Sequence, residues 1–94
     1  MNGAALKYQL KHYGLTVAEY NEILLAQCGT CAICHRPERI KLRGGSVSRL
    51  AVDHDEATDT VRGLLCRDCN TAIGLLGHDH LRLGSAIAYL VAVR

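Results

Sequence analysis

Residues 65–70 read Leu-Cys-Arg-Asp-Cys-Asn, and an earlier stretch, residues 31–34, reads Cys-Ala-Ile-Cys. Each stretch contains a Cys-x-x-Cys pair, in which two intervening residues let both thiolates reach one metal ion. Two such pairs can close a tetrahedral zinc site. We therefore predict a structural zinc ion between the two cysteine-containing turns, which we call the first knuckle (31–34) and the second knuckle (66–69).

The length and composition of the chain favour one small domain. Its 94 residues can bury only a modest core, and because it contains no Phe or Trp, that core must consist of Leu, Ile, Val, Ala and Tyr. Zinc binding to a small structural site contributes roughly 10–16 kcal/mol of apparent folding free energy. A zinc-stabilised α+β domain over residues 1–94 is the expected fold.

The cysteines do not indicate a secreted, disulfide-bonded protein. Their number, five, is odd, and the N-terminal residues lack an apolar run of signal-peptide length. Nor is any apolar stretch long enough to span a membrane. We expect a cytoplasmic metalloprotein with no membrane partner.

The basic residues are concentrated in one segment, although the net charge is only +2. Seven of the eleven lie between positions 36 and 49 or around the second knuckle: Arg36, Arg39, Lys41, Arg43, Arg49, Arg62 and Arg67. A basic loop beside a metal site suits a phosphate backbone, because neutralising phosphates releases counterions. The same charges also suit a solvated loop, so charge alone leaves both readings open. We assign DNA contacts to Lys41, Arg43, Arg49, Arg62 and Arg67; an ion pair within the hairpin is the alternative for Arg62.

The chain divides into N-terminal helices at 4–28, a metal-binding core at 29–77 and a C-terminal helix at 79–93. Thr16 and Glu19 form a capping-box pattern that opens the second N-terminal helix. The core contains strands at 47–54 and 60–64, which we predict to form a hairpin, and a helix from about 67 to 76 that ends at Gly77. Asp79 can cap the closing helix, and its inward side chains are expected to be Leu83, Ile87, Leu90 and Val91.

Three polar residues in this core are not needed for zinc binding. Asp53 and His54 end the first predicted strand, and Asn70 directly follows the last cysteine. Hairpin and helix, folded together, can bring these residues to one point. His54 can take a proton from water near neutral pH. Asp53 and Asn70 offer oxygen ligands for a divalent ion that keeps several waters, which favours Mg²⁺ or Mn²⁺.

These residues resemble the recombination endonuclease VII family of HNH, or ββα-metal, nucleases, many of which are carried by phages. The resemblance rests on Cys-Ala-Ile-Cys at 31–34, Val-Asp-His-Asp at 52–55 and Val-Arg-Gly-Leu-Leu-Cys-Arg-Asp-Cys-Asn-Thr-Ala-Ile-Gly at 61–74. It implies structural zinc on Cys31, Cys34, Cys66 and Cys69. It also implies a catalytic metal on Asp53 and Asn70, His54 as general base, and DNA cleavage that leaves a 5′-phosphate. Such a protein would act in the cytoplasm of a bacterial host, and a homodimer would allow it to cut both strands.

The sequence departs from that pattern at Glu56, where many members have histidine; Glu56 is then either an added metal ligand or a turn residue. Cys28 forms an overlapping pair with Cys31, but we expect it to be a small core residue. His12 is expected to be a surface residue, and so is His35, although His35 follows Cys34 and could replace a zinc ligand. The stretch His78-Asp79-His80 resembles a metal-binding cluster, but we expect it to be a connection in which Asp79 caps the closing helix.

Two other functions are compatible with the cysteines. One is a non-catalytic zinc-stabilised module that binds nucleic acid or protein, in which Asp53 and His54 are only strand and turn residues. The other is a thiol redox protein, which needs one exposed Cys-x-x-Cys of low pKa and fits two matched pairs less well.

Overall fold

The computed structural model describes residues 10–92, and within that range it contains three helices and a two-stranded antiparallel sheet. In chain order the elements are α1 (Val17–Ala26), β1 (Ala51–Asp55), β2 (Thr60–Leu65), α2 (Arg67–Leu75) and α3 (His80–Ala92). The predicted small α+β fold is therefore confirmed. Leu10 and Lys11 are also helical, whereas the start of the predicted N-terminal helix lies outside the described residues.

Helix α1 begins at a capping box, as predicted. Thr16 Oγ1 accepts the Glu19 backbone N–H at 3.1 Å, and Glu19 Oε1 accepts the Thr16 N–H at 2.9 Å. Both backbone donors would otherwise lack a partner within the helix. Tyr20 is the buried residue of this helix, and its hydroxyl donates to the Leu50 carbonyl at 2.7 Å. This bond ties α1 to the residue directly before β1.

Helix α1 ends in a Schellman motif with Cys28 in the left-handed conformation, at φ 57°. The Gly29 N–H bonds the Leu24 carbonyl at 2.8 Å, and the Cys28 N–H bonds the Leu25 carbonyl at 2.9 Å. Cys28 is exposed, so the prediction that it belongs to the core is wrong. Helical periodicity would place Cys28 on the buried face of α1 only if the helix reached it, but α1 ends at Ala26.

The hairpin of β1 and β2 contains a β-bulge at Arg62. Asp53 pairs with Gly63, whereas the next residue, His54, pairs with Val61. Arg62 is therefore the extra residue on β2, and such a bulge bends the strand and increases its twist. The first strand is shorter than predicted at its start, because Val47 forms only an isolated bridge with Lys41.

The core is small and includes two of the cysteines. Its buried members are Leu10, Tyr20, Cys31, Leu50, Leu64, Leu65 and Cys66. Cys31 of the first knuckle and Leu64 of β2 are completely buried. Since Cys31 and Cys66 belong both to this core and to the two knuckles, the hydrophobic core and the metal site share residues.

The Gln27 side chain joins the first knuckle to β2. Its Nε2 donates to the Thr30 carbonyl at 2.8 Å and to the Leu64 carbonyl at 2.9 Å, while its Oε1 accepts the Leu64 N–H at 3.0 Å. A Cβ at Gly63 would lie 3.1 Å from Gln27 Oε1. The glycine therefore leaves room for the amide that holds the knuckle against the hairpin.

The turn between α2 and α3 follows the prediction. Gly77 has φ 70°, and the His78 N–H bonds the Ile73 carbonyl at 2.8 Å, which closes α2. Asp79 Oδ1 then accepts the Leu81 N–H at 2.9 Å and so caps α3.

The predicted inward face of α3 is largely wrong. Leu83 is half-buried, but Ile87 and Leu90 are 63% and 68% exposed, and Val91 is exposed as well. Helical periodicity shows which residues share a face, but it does not show whether the fold supplies a surface to cover that face. Within residues 10–92, every helix is too short or too polar to cross a membrane.

Candidate metal centre and active-site cleft

The sulfur atoms of the two knuckles converge at one point. All four, from Cys31, Cys34, Cys66 and Cys69, lie within 4.8 Å of one another. The Sγ atoms of Cys34 and Cys66 are 3.9 Å apart, close to the edge of about 3.8 Å expected for a tetrahedral zinc ion with four thiolates. The cluster thus fits a structural zinc ion, and neither Cys28 nor His35 belongs to it.

The four thiols differ in how readily they ionise. Burial alone would raise the pKa of Cys31, but hydrogen bonds from the backbone of Cys34, Cys66 and Ile33 lower that pKa to about 6. Burial and the neighbouring thiols raise the pKa of Cys69 to about 12. Cys31 therefore loses its proton easily, whereas the proton of Cys69 is hard to remove without a cation. A divalent ion overcomes this difficulty by neutralising the thiolates it binds.

The second knuckle also starts the helix that carries Asn70. Cys66 is the N-cap of α2, and its sulfur accepts the Cys69 N–H at 3.4 Å. The Asn70 N–H bonds the Cys66 carbonyl at 2.9 Å, which places Asn70 in the first turn. The metal centre therefore determines where this helix begins and where it presents Asn70.

Asp53, His54 and Asn70 line one cleft of about 390 Å³. Adjacent strand residues normally point to opposite faces of a sheet, but Asp53 and His54 both reach this cleft, at the point where the bulge shifts the register of the hairpin. The remaining lining residues are His12, Tyr13, Val52, Glu56 and His78. The structure thus brings the three predicted residues together, while their catalytic roles stay predictions.

Asp53 forms a two-point ion pair with Arg62. Arg62 Nε donates to Asp53 Oδ2 at 2.8 Å, and Arg62 Nη2 donates to Asp53 Oδ1 at 3.1 Å. The Asp53 bond, the largest cause, and the nearby Asp55 carboxylate raise the pKa of the Arg62 guanidinium, although partial burial opposes them. Of the two interpretations of Arg62, this geometry supports the ion pair within the hairpin.

His54 lies between an aromatic ring and a carboxylate. The Tyr13 ring centroid is 5.7 Å from that of His54, and the two rings are tilted by 56°. On another side, His54 Nε2 is 3.1 Å from Asp59 Oδ1. This contact favours a proton on Nε2 and leaves Nδ1 as the ring nitrogen able to accept a proton.

Of the other predicted DNA contacts, one lies beside the cleft and three are exposed. Arg49 lines an adjoining cavity of about 550 Å³, which shares His12, Tyr13, Val52 and Asn70 with the cleft. Lys41, Arg43 and Arg67 are exposed. Lys41 and Arg43 belong to a loop closed by the hydrogen bond from the Leu42 N–H to the Ser46 carbonyl, at 2.7 Å. Arg49, Lys41, Arg43 and Arg67 remain predicted DNA contacts.

His12 and His78 are exposed, but both also line the cleft, a position that sequence reasoning did not predict. For His78, the spacing of residues in the sequence could have indicated its position in the cleft. Asn70 and Gly74 are one helical turn apart, Gly77 ends the helix, and the His78 ring lies 3.8 Å from the position of a Cβ on Gly74. For His12 and Tyr13 no local pattern indicates the cleft, because only chain folding brings them beside β1.

The chain matches a family model described as recombination endonuclease VII over residues 7–92. The Gene 59 protein of Mycobacterium phage D29 is 44% identical over 82 residues, which are 86% of this chain and 46% of that protein. The Gene 59 protein of Mycobacterium phage L5 is 48% identical over 61 residues, 65% of this chain and 34% of that protein. The chain thus spans about half, or less, of these curated relatives. No solved structure matches it significantly. Since the family match covers nearly the whole chain, this protein belongs to the recombination endonuclease VII family.

Proposed function

We propose that this chain is a metal-dependent DNA endonuclease with an HNH-type, or ββα-metal, active site. Family membership supports a nuclease that acts on DNA. The observation that carries the proposal is the meeting of Asp53, His54 and Asn70 in one cleft, next to a four-cysteine cluster that fits zinc. Zinc binding by itself does not require these three polar side chains to converge.

His54 acts as the general base in this proposal. Its Nδ1 takes a proton from a water molecule as the water oxygen attacks phosphorus. The bond from phosphorus to the 3′-oxygen breaks, and that oxygen gains a proton from solvent. The products are a 5′-phosphate and a 3′-hydroxyl.

Asp53 and Asn70 are the proposed ligands of the catalytic cation. Their carboxylate and amide oxygens suit Mg²⁺ or Mn²⁺, and the cleft of about 390 Å³ leaves room for retained waters. When bound, such an ion supplies charge stabilisation to the phosphate oxygens and the leaving oxygen. Zinc on the four cysteines is purely structural, since it fixes the start of α2 and the position of Asn70.

Lys41, Arg43, Arg49 and Arg67 are the proposed contacts to the DNA backbone. Arg49 lines the cavity next to the cleft, and the other three are exposed. Because such contacts neutralise phosphates and release counterions, binding should weaken steeply with salt concentration. They carry no base information, so they give no sequence preference.

The proposal is tested by nicking of supercoiled plasmid in Mg²⁺ or Mn²⁺ with the zinc-loaded protein. His54→Ala should lower the nicking rate by about 10²- to 10⁴-fold, the usual contribution of a general base. His80→Ala is the matched control, since His80 is exposed in the first turn of α3 and outside the cleft, and it should nick like the wild type. Equal rates for His54→Ala and the wild type would refute the assignment.

A non-catalytic zinc-stabilised module that binds nucleic acid is the second candidate. One observation favours it: both Asp53 carboxylate oxygens are already hydrogen-bonded to Arg62. Under this alternative neither the wild type nor His54→Ala cuts plasmid or branched DNA, yet both bind DNA with equal affinity.

A further inference from the structure

The Asp53 carboxylate is nearly enclosed, and its charge is balanced within the hairpin. Its side chain is only 10% exposed, and each oxygen accepts one N–H from Arg62. A buried carboxylate needs such a partner, because an unpaired charge away from water is costly. Arg62 therefore already holds both oxygen atoms through which Asp53 would bind a cation.

We propose that the Arg62 guanidinium is a built-in competitor for the divalent ion on Asp53, and that ion binding releases it toward the DNA phosphate. This inference rests on the proposed function, because it assumes that Asp53 is a metal ligand. It adds a role for Arg62 that links metal binding to substrate binding.

Competition follows from the charges. A carboxylate has enough lone pairs to accept hydrogen bonds and bind an ion together, so the obstacle is electrostatic rather than a lack of donor sites. A guanidinium and a divalent ion on one carboxylate repel each other at close range, and the low exposure of Asp53 weakens solvent screening. The two cations therefore cannot both hold Asp53 as Arg62 does in this structure.

The position of Arg62 allows it to leave. It is the extra residue of the β-bulge, and its side chain is 40% exposed, so solvent lies next to the guanidinium. A second carboxylate, Asp55, has its Oδ2 3.8 Å from Arg62 Nη1. Once freed, the planar guanidinium can bind a phosphate through two parallel hydrogen bonds, as it now binds Asp53.

The opposite role is that Arg62 orients Asp53 for the ion. The two roles predict opposite signs for metal affinity when Arg62 is replaced. If Arg62 competes, its removal strengthens ion binding; if it only orients Asp53, its removal weakens ion binding.

The test is Mn²⁺ binding to the zinc-loaded chain, measured by electron paramagnetic resonance of the free ion. Arg62→Gln should lower the Mn²⁺ dissociation constant about fivefold or more, the scale of a partly buried ion pair. Arg62→Lys, which keeps the charge but not the two-point geometry, should give an intermediate value. Arg82→Gln is the control for net charge, since Arg82 is exposed on α3, and should change the constant by less than about twofold.

Thermal unfolding gives an independent reading if Arg62→Gln is less stable. Because an ion that binds only the folded state raises its stability, Mn²⁺ should raise the melting temperature of Arg62→Gln more than that of the wild type. In Mn²⁺, Arg62→Gln should also bind DNA more weakly than Arg82→Gln.

Asp53→Asn separates failure of this inference from failure of the proposed function. If the wild type binds Mn²⁺ through Asp53 and Arg62→Gln binds it no more tightly, competition is wrong while the metal site stands. If neither the wild type nor Arg62→Gln binds Mn²⁺ through Asp53, both proposals are wrong. Binding that requires Asp53 and becomes detectable only in Arg62→Gln would be the strongest support for competition.

Discussion

The Glu38 carboxylate accepts the Arg67 backbone N–H at 2.7 Å, which joins the basic loop to the first turn of α2. Its other oxygen accepts the N–H groups of Arg39 and Ile40 at 2.9 and 3.1 Å. Glu38 is buried, and a negative charge at a helix N-terminus is favourable. One side chain thus holds the loop with Lys41 and Arg43 against the helix that carries Asn70.

Replacing Glu38 should therefore destabilise the domain. Glu38→Gln turns charged hydrogen bonds into neutral ones and brings an amide donor toward backbone donors, so we expect the free energy of unfolding to fall by about 1–3 kcal/mol. Urea denaturation in excess zinc measures this change. Glu22→Gln, on the exposed side of α1, is the control and should change stability by less than about 0.5 kcal/mol. Equal stabilities for the two variants would show that Glu38 does not hold the loop.

Zinc binding should depend on Cys31 and not on Cys28. Cys31 is completely buried within the four-sulfur cluster, whereas Cys28 is exposed at the end of α1. Cys31→Ser should lose most of the zinc and the cooperative unfolding transition, because metal binding is coupled to folding. Cys28→Ser should keep one zinc ion per chain, as measured by elemental analysis after gel filtration. Zinc loss in both variants, or in neither, would contradict the ligand set.

Zinc affinity should increase with pH. In the metal-free protein the pKa of Cys69 is raised to about 12. A backbone hydrogen bond from Cys69 lowers the pKa of Cys66, but burial and the Cys31 and Cys34 thiols outweigh it and raise that pKa, so both Cys66 and Cys69 hold protons near neutral pH. The pKa of Cys31, at about 6, leaves that thiol largely ionised at pH 7. Because binding must displace the remaining protons, raising the pH favours zinc.

Competition with a chelator of known affinity at pH 6, 7 and 8 measures this dependence. We expect the apparent association constant to rise about tenfold or more per pH unit, once the proton binding of the chelator is taken into account. A constant that does not change with pH would mean that the four thiols are already ionised without metal.

Much of the fold depended on local signals that the sequence contains. The capping box at Thr16 and Glu19 starts α1, Gly77 ends α2 and Asp79 caps α3. Each of these helix ends lies within a few residues of the residue that sets it. Such signals act through hydrogen bonds between near neighbours, so they are readable without the tertiary structure. The same applies to the two Cys-x-x-Cys pairs.

Errors arose where a conclusion required knowledge of what surrounds a residue. Periodicity correctly grouped Ile87 and Leu90 on one face of α3, but both are exposed. Cys28 has helical spacing from Tyr20, yet the helix ends before reaching it. In each case the pattern along the chain was correct and the burial inferred from it was wrong.

The sequence by itself determined the two Cys-x-x-Cys pairs, the order of hairpin and helix, and the family, because each depends on residue identity and spacing. The overlapping Cys28 pair left the choice of cysteines open by spacing alone, and the tertiary structure groups Cys31, Cys34, Cys66 and Cys69 in one cluster that fits zinc. Only the tertiary structure decided that Arg62 holds Asp53 and that His12, Tyr13 and His78 line the cleft with His54. The bulge at Arg62 and the packing of distant segments produce these contacts. Such contacts depend on the backbone path of all the residues between the contacting segments, so a short stretch of sequence does not reveal them.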